Sequence, residues 1–229
     1  MLNVQDIADM IDHSLLRPEL TDEDAREGCR IARDNSCISV CAKPADVALC
    51  ARELAGSRVL VTTVVGFPHG SSTTATKLLE AREMLGAGAV ELDMVLNIGK
   101  LRSGELAYVE EEIHAVCDAA HAAKALVKVI FENAYLTDEQ KVAACRISER
   151  AGADFVKTST GFAKSGATIE DLKLMRASCS PHVRIKAAGG VRTLDDALAV
   201  RAVGTSRFGA TQTIAILAEA KQRAAEGRL

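Results

Sequence analysis

Residues 151–162 read AGADFVKTSTGF. Ala151 and Gly152 close an amphipathic segment as a helix C-terminus does. Phe155 and Val156 then open an apolar run suited to a buried strand. Lys157 sits in that run and is followed by small hydroxyl residues and a glycine. Lysine is almost never fully buried unless it is paired. The arrangement returns at 184–193, RIKAAGGVRT, where Lys186 follows Ile185 and precedes small residues and glycines. Two lysines, each late in an apolar strand, require one explanation.

Working outward from these strands, one rhythm fills the chain. A short apolar run is followed by a turn, a longer amphipathic segment, a glycine and the next run. The expected strands are 10–16, 37–42, 59–67, 89–96, 125–132, 154–160, 183–190 and 206–210. Continuous apolar runs rich in β-branched residues are typical of parallel strands covered on both faces. The segments between them read as helices. Thr21, Thr137, Thr168 and Thr193 stand as N-caps, and Gln140 completes a capping box with Thr137. No Pro/Gly/Ser-rich linker or charge run divides the 229 residues, so residues 1–229 are expected to form one domain.

Eight strands alternating with helices fit either a closed (β/α)8 TIM barrel or an open doubly wound sheet. The first strand lacks the glycine turn of a dinucleotide fold. Polar residues stand near the ends of nearly every strand: Asp12, Cys41, His69, Asp93, Glu132, Lys157, Lys186 and Arg207. An open sheet would gather them at one switch point. Spread over eight strands, they indicate an α/β barrel with its site on the C-terminal face.

Composition excludes several classes of function. The net charge of −3 comes without a basic block, and only 3% of residues are aromatic with no Trp. Neither a nucleic-acid surface nor a base-stacking platform is expected. No segment reaches the ~18 apolar residues of a membrane span. The N-terminus lacks the basic and apolar regions of a secretory signal, so a cytoplasmic location is expected. The seven cysteines form no CxxC pair and read as small buried hydrophobes. The five histidines show no metal-ligand spacing, so no metal is expected.

Two lysines on adjacent strands repel each other, and burial acts in the same direction, lowering one pKa. A neutral lysine amine attacks carbonyl carbon, the Schiff-base route. The alternative is that each lysine snorkels to solvent or binds a phosphate. Asp93, in an otherwise apolar strand, needs a cation, which Lys186 can supply. Such a pair serves either proton relay or structure. Glu132 and Asp12 read as structural supports, Glu132 by fixing a lysine or capping a loop. Cys41 either faces substrate or packs. Glycine-rich turns follow strands six, seven and eight, and form either an anion cradle or tight turns only. The cradle's contacts would be Gly161, Gly190, Gly209 and Thr211, with charge added by Lys164.

The segments IDHSLL, VCAKP, VVGFPHG, VELDMVLNIG, KVIFE, AGADFVKTSTGF, IKAAGGVRT and RFGAT, in that order, resemble the 2-deoxyribose-5-phosphate aldolase family over residues 8–215. The resemblance implies a TIM barrel and a class I aldolase that needs no cofactor. It implies Lys157 as the Schiff-base lysine, with Lys186 and Asp93 as catalytic partners in proton transfer. Ser14, Cys41, Thr160 and Gly161 become candidate substrate contacts, as do Gly189, Gly190, Gly209 and Thr211. The implied partners are acetaldehyde and a small phosphorylated sugar, with a different phosphorylated acceptor as the alternative. Barrels of this kind often dimerise, so a homodimer or higher homo-oligomer is expected. Three positions depart from the family: Ser14 stands where Thr is usual, Asn133 where Thr is common, and Gln212 where a small hydroxyl is frequent. The last two are expected to touch the rim and phosphate end of the site.

Overall fold

Eight parallel strands follow one another in chain order, and the last closes onto the first. The computed structural model describes residues 2–229. The strands are β1 (Ile11–Leu15), β2 (Ser39–Ala42), β3 (Leu60–Val65), β4 (Glu91–Val95), β5 (Leu126–Ile130), β6 (Phe155–Lys157), β7 (Arg184–Ala187) and β8 (Arg207–Ala210). Each matches an expected strand, trimmed at its ends. The helices are α1 (Val4–Ala8), α2 (Asp22–Asp34), α3 (Val47–Glu53), α4 (Thr74–Gly86), α5 (Ile98–Arg102), α6 (Leu106–Ala122), α7 (Asp138–Arg150), α8 (Ile169–Ser178), α9 (Leu194–Ala202) and α10 (Thr213–Ala225).

The four threonine caps are all formed. Thr21, Thr137, Thr168 and Thr193 accept from the backbone N–H three residues on, opening α2, α7, α8 and α9. Each satisfies an otherwise orphaned donor, worth about 1 kcal/mol. β6 is shorter than the apolar run suggests, because hydroxyl groups take over the ladder beyond Lys157. Thr158 N–H still donates to Lys186 O at 3.2 Å, while Thr158 Oγ1 accepts from Ala188 N–H at 3.0 Å.

Strand residues alternate between the two faces of the barrel wall. Outward residues such as Val40, Val61, Leu92, Val127 and Ile185 join one apolar cluster with Ile113, Leu172, Leu194 and Ile216 of the helices. Burial of each such side chain stabilises by about 1.5–3 kcal/mol. Lys77 of α4 is fully buried here, donating to Glu112 of α6 and to Val95 O, both at 2.8 Å. Glu112 in turn accepts from Asn97 N–H at 2.9 Å, fastening the exit of β4. Among the described residues, no helix is long and apolar enough to cross a membrane.

Candidate active site

The barrel interior is polar. Glu91 and Asp93 lie two apart on β4 and share one face. Register places Asp93 opposite Lys128 of β5, and Lys157 opposite Lys186 of β7. Lys157 Nζ and Lys186 Nζ both donate to Asp93 Oδ2, at 2.6 and 2.7 Å. Lys128 Nζ donates to Asp93 Oδ1 at 2.9 Å and to Glu91 Oε2 at 2.6 Å. Arg207 bridges Asp12 at 2.7 Å and Glu91 at 3.0 Å, and Lys186 also contacts Asp12. Ser39 donates to Asp12 Oδ1 at 2.8 Å, and Thr62 to Glu91 Oε2 at 2.7 Å.

These contacts assemble four cations, Lys128, Lys157, Lys186 and Arg207, around three carboxylates, Asp12, Glu91 and Asp93. With all seven ionised, one positive charge is uncompensated in a site where every member is buried. Burying net charge is costly, and a group escapes the cost by neutralising. Burial lowers the pKa of Lys157, and the Lys186 charge adds to that effect while Asp93 opposes it. For Lys186, burial is outweighed by Asp12 and Asp93, which raise its pKa. Lys128 is also raised, because Asp93, Glu91 and Asp12 overcome burial. Burial works against the Asp93 carboxylate too, but three lysines hold its pKa well below the usual range. Lys157 is thus the member of the network poised to give up its proton.

Lys157 and Lys186 line a cavity of about 580 Å³ at the C-terminal mouth. Every substrate contact expected from the sequence lies on its wall: Ser14, Cys41, Thr160, Gly161, Gly189, Gly190, Gly209 and Thr211. Asp93 lies beneath it, fully buried. Gly161, Gly189 and Gly190 have φ of +88°, +75° and +100°, which side chains disfavour. Close packing adds a second reason for glycine. A Cβ on Gly166 would stand 2.3 Å from Gly189 O, and Ala167 N–H donates to that same oxygen at 2.9 Å.

Several expectations require correction. Lys164 is exposed and absent from the cavity wall, whereas Arg17 and Arg192 line it. Asn133 does not touch the rim: it is buried and donates toward Asp171 and the Met175 sulfur of α8. Gln212 likewise lies off the wall, exposed at the start of α10. Glu132 fixes no lysine; it accepts from Thr160 N–H at 3.2 Å and from the Thr160 hydroxyl. Cys41 faces the cavity but is only 2% exposed, and burial pushes its thiol up to about 11, so it is not an exposed reactive thiolate. The sequence reading passed over Lys128 and Glu91. Their signal was present: LVKVI and ELDMV each carry a charge on the inward face.

A parallel barrel whose mouth joins a depressed-pKa lysine to an open cavity is the architecture of an aldolase that captures carbonyls on an amine. The comparisons agree. The chain belongs to the DeoC/LacD family of aldolases, whose family model matches residues 7–214. A deoxyribose-phosphate aldolase of Bacillus mycoides (strain KBAB4) is 51% identical over 211 residues, covering 92% of this chain and 94% of the relative. A deoxyribose-phosphate aldolase of Bacillus cereus (strain AH820) shows the same identity and coverage. Among solved structures, the deoxyribose phosphate aldolase of Aeropyrum pernix, described as a tetramer, superposes with a TM-score of 0.89 at 31% identity. That match covers 96% of this chain and 92% of the other.

Proposed function

We propose that this chain reversibly cleaves 2-deoxy-D-ribose 5-phosphate to acetaldehyde and D-glyceraldehyde 3-phosphate through an imine on Lys157. The observation that carries this reading is the Lys157 ammonium, held 2.6 Å from Asp93 with its pKa lowered by burial, facing the cavity. The neutral amine attacks C1 of the open-chain sugar, and loss of water gives a protonated imine. A base takes the proton of the C3 hydroxyl. The C2–C3 bond breaks, its electron pair flows into the iminium, and glyceraldehyde 3-phosphate leaves. Protonation of the resulting enamine at C2 and addition of water release acetaldehyde and restore the amine. The iminium is the electron sink, so the chemistry calls on no cofactor.

In this reading Asp93 and Lys186 move the protons. Support comes from Asp93 Oδ2, which accepts from both Lys157 Nζ and Lys186 Nζ, so an acceptor and a second donor stand close to the reacting nitrogen. The sugar would extend past Ser14, Cys41 and Thr160, with its phosphate toward Gly161, Gly189, Gly190, Gly209 and Thr211. Main-chain N–H groups in glycine turns suit an anion. The 51% identity to deoxyribose-phosphate aldolases supports this substrate over a different phosphorylated acceptor. The tetramer described for the Aeropyrum relative supports a homo-oligomer. We infer a single barrel domain and a cytoplasmic location on the same footing. The test is direct: incubate the protein with 2-deoxy-D-ribose 5-phosphate and measure acetaldehyde and triose phosphate. Equimolar release is expected; a folded protein that releases neither contradicts the assignment.

A further inference from the structure

Beside the barrel cavity lies a second cleft, of about 360 Å³. Thr160 and Phe162 line both, so the turn after β6 is the partition between them. Glu132, at the end of β5, contributes to this cleft and not to the barrel cavity. It is 2% exposed and holds a left-handed backbone with φ of +56°, uncommon for a residue with a side chain. Its Oε2 is occupied by the Thr160 N–H and hydroxyl. Its Oε1 is buried without a hydrogen-bond partner. Leaving such an oxygen unsatisfied carries a desolvation cost that a donor would remove.

The rim of the cleft offers complementary chemistry. Arg102 and His69 are both exposed there, and among the described residues Arg102 pairs with no carboxylate. A guanidinium without a carboxylate partner, lining the same cleft as a buried acceptor, selects a ligand with two ends: an anion for the arginine and a hydroxyl donor for the glutamate. We propose that this cleft is a second ligand site, for a small anion that also carries a hydroxyl group. The hydroxyl donates to Glu132 Oε1, and the anionic group meets Arg102. Because Glu132 Oε2 holds Thr160, an occupant acts on the turn that walls the barrel cavity.

The inference does not depend on the reaction assigned to that cavity. Glycerol 3-phosphate, which has no carbonyl to react, is a suitable probe, with inorganic phosphate as the control. Crystals soaked in the probe locate it, and calorimetry measures its affinity. Density bridging Glu132 and Arg102 is expected. Arg102→Ala, at an exposed position, should weaken that step by ~10-fold or more, as loss of a charged hydrogen bond does. Glu132→Ala, which removes the polar partner altogether, should erase the preference for glycerol 3-phosphate over inorganic phosphate. Density confined to the barrel cavity overturns the proposal, as does an Arg102→Ala isotherm identical to that of the unaltered protein. Equal affinity of the cleft for the two probes overturns the role given to Glu132.

Discussion

Lys157 and Lys186 are register partners on adjacent strands, yet both ammonium groups hold one oxygen, Asp93 Oδ2. Simple repulsion between two lysines is therefore only part of the electrostatics. The carboxylate ties them together, Asp12 fixes the charge on Lys186, and burial presses on Lys157. The difference between two chemically identical side chains arises from what surrounds each.

Opposite shifts in the pH profile follow from this arrangement. In the proposed reaction the neutral amine of Lys157 attacks, so the rising limb of kcat/KM should report its pKa in the free enzyme. Lys186→Leu removes a like charge that lowers the Lys157 pKa, so the limb should move to higher pH. Asp93→Asn removes the attraction that raises it, so the limb should move to lower pH. Each variant should also lose roughly 10²-fold or more in kcat as a proton-transfer partner. Limbs that move in the same direction, or near-normal rates, would remove these roles.

Lys128 tests the charge count. Lys128→Met removes one of four cations and leaves Glu91 and Asp93 short of a partner. Breaking a buried pair from one side costs about 3–5 kcal/mol. Urea unfolding should show a loss of that order. The pH limb should also move upward, because the remaining charges balance with Lys157 protonated.

Stability should fall in acid in two stages. His13, buried with Nδ1 2.8 Å from Thr213 Oγ1, has its pKa lowered to about 4 by burial. The unfolded chain protonates it near pH 6.5. Protons therefore favour unfolding as pH drops from about 6.5 to 4, with an effect on the order of 3 kcal/mol. The Asp12 and Asp93 carboxylates are depressed in the fold, so their stabilisation is present above the ordinary aspartate range near 3.9 and is lost as pH falls below it. Unfolding midpoints measured against pH should show the first stage, and it should disappear in His13→Asn. A midpoint flat between pH 7 and 5 would exclude it.

The contact between the loops after β6 and β7 should govern phosphate affinity separately from chemistry. In Gly166→Ala the new Cβ would collide with Gly189 O, displacing the cavity wall. KM for the phosphorylated sugar should rise about tenfold or more, as misplaced positioning groups cause. Capture of acetaldehyde on Lys157 should be unaffected. Equal losses in both assays would show that the substitution disturbs the whole site.

Much of this molecule was legible in its sequence, for identifiable reasons. Continuous apolar runs gave the eight strands, and threonines before acidic turns gave α2, α7, α8 and α9. The short helices α1 and α5, of five residues each, carry too little periodicity to be read. Lys157 and Lys186 stood out because glycines and hydroxyls follow them. Lys128 and Glu91 lie among apolar neighbours, and only the pairing of β4 with β5 brings them together. Lys164, Asn133 and Gln212 were misplaced because loop residues near a motif do not reveal their direction. Asn133 turns toward α8, a contact made 38 residues away in sequence.

The proposed reaction turns on Lys157 as the amine that forms the imine. Incubation with acetaldehyde, reduction with borohydride, digestion and mass spectrometry test it most directly. An ethyl adduct is expected on the peptide containing Lys157, and neither adduct nor turnover in Lys157→Met. An adduct on Lys186, or turnover surviving in Lys157→Met, would contradict it.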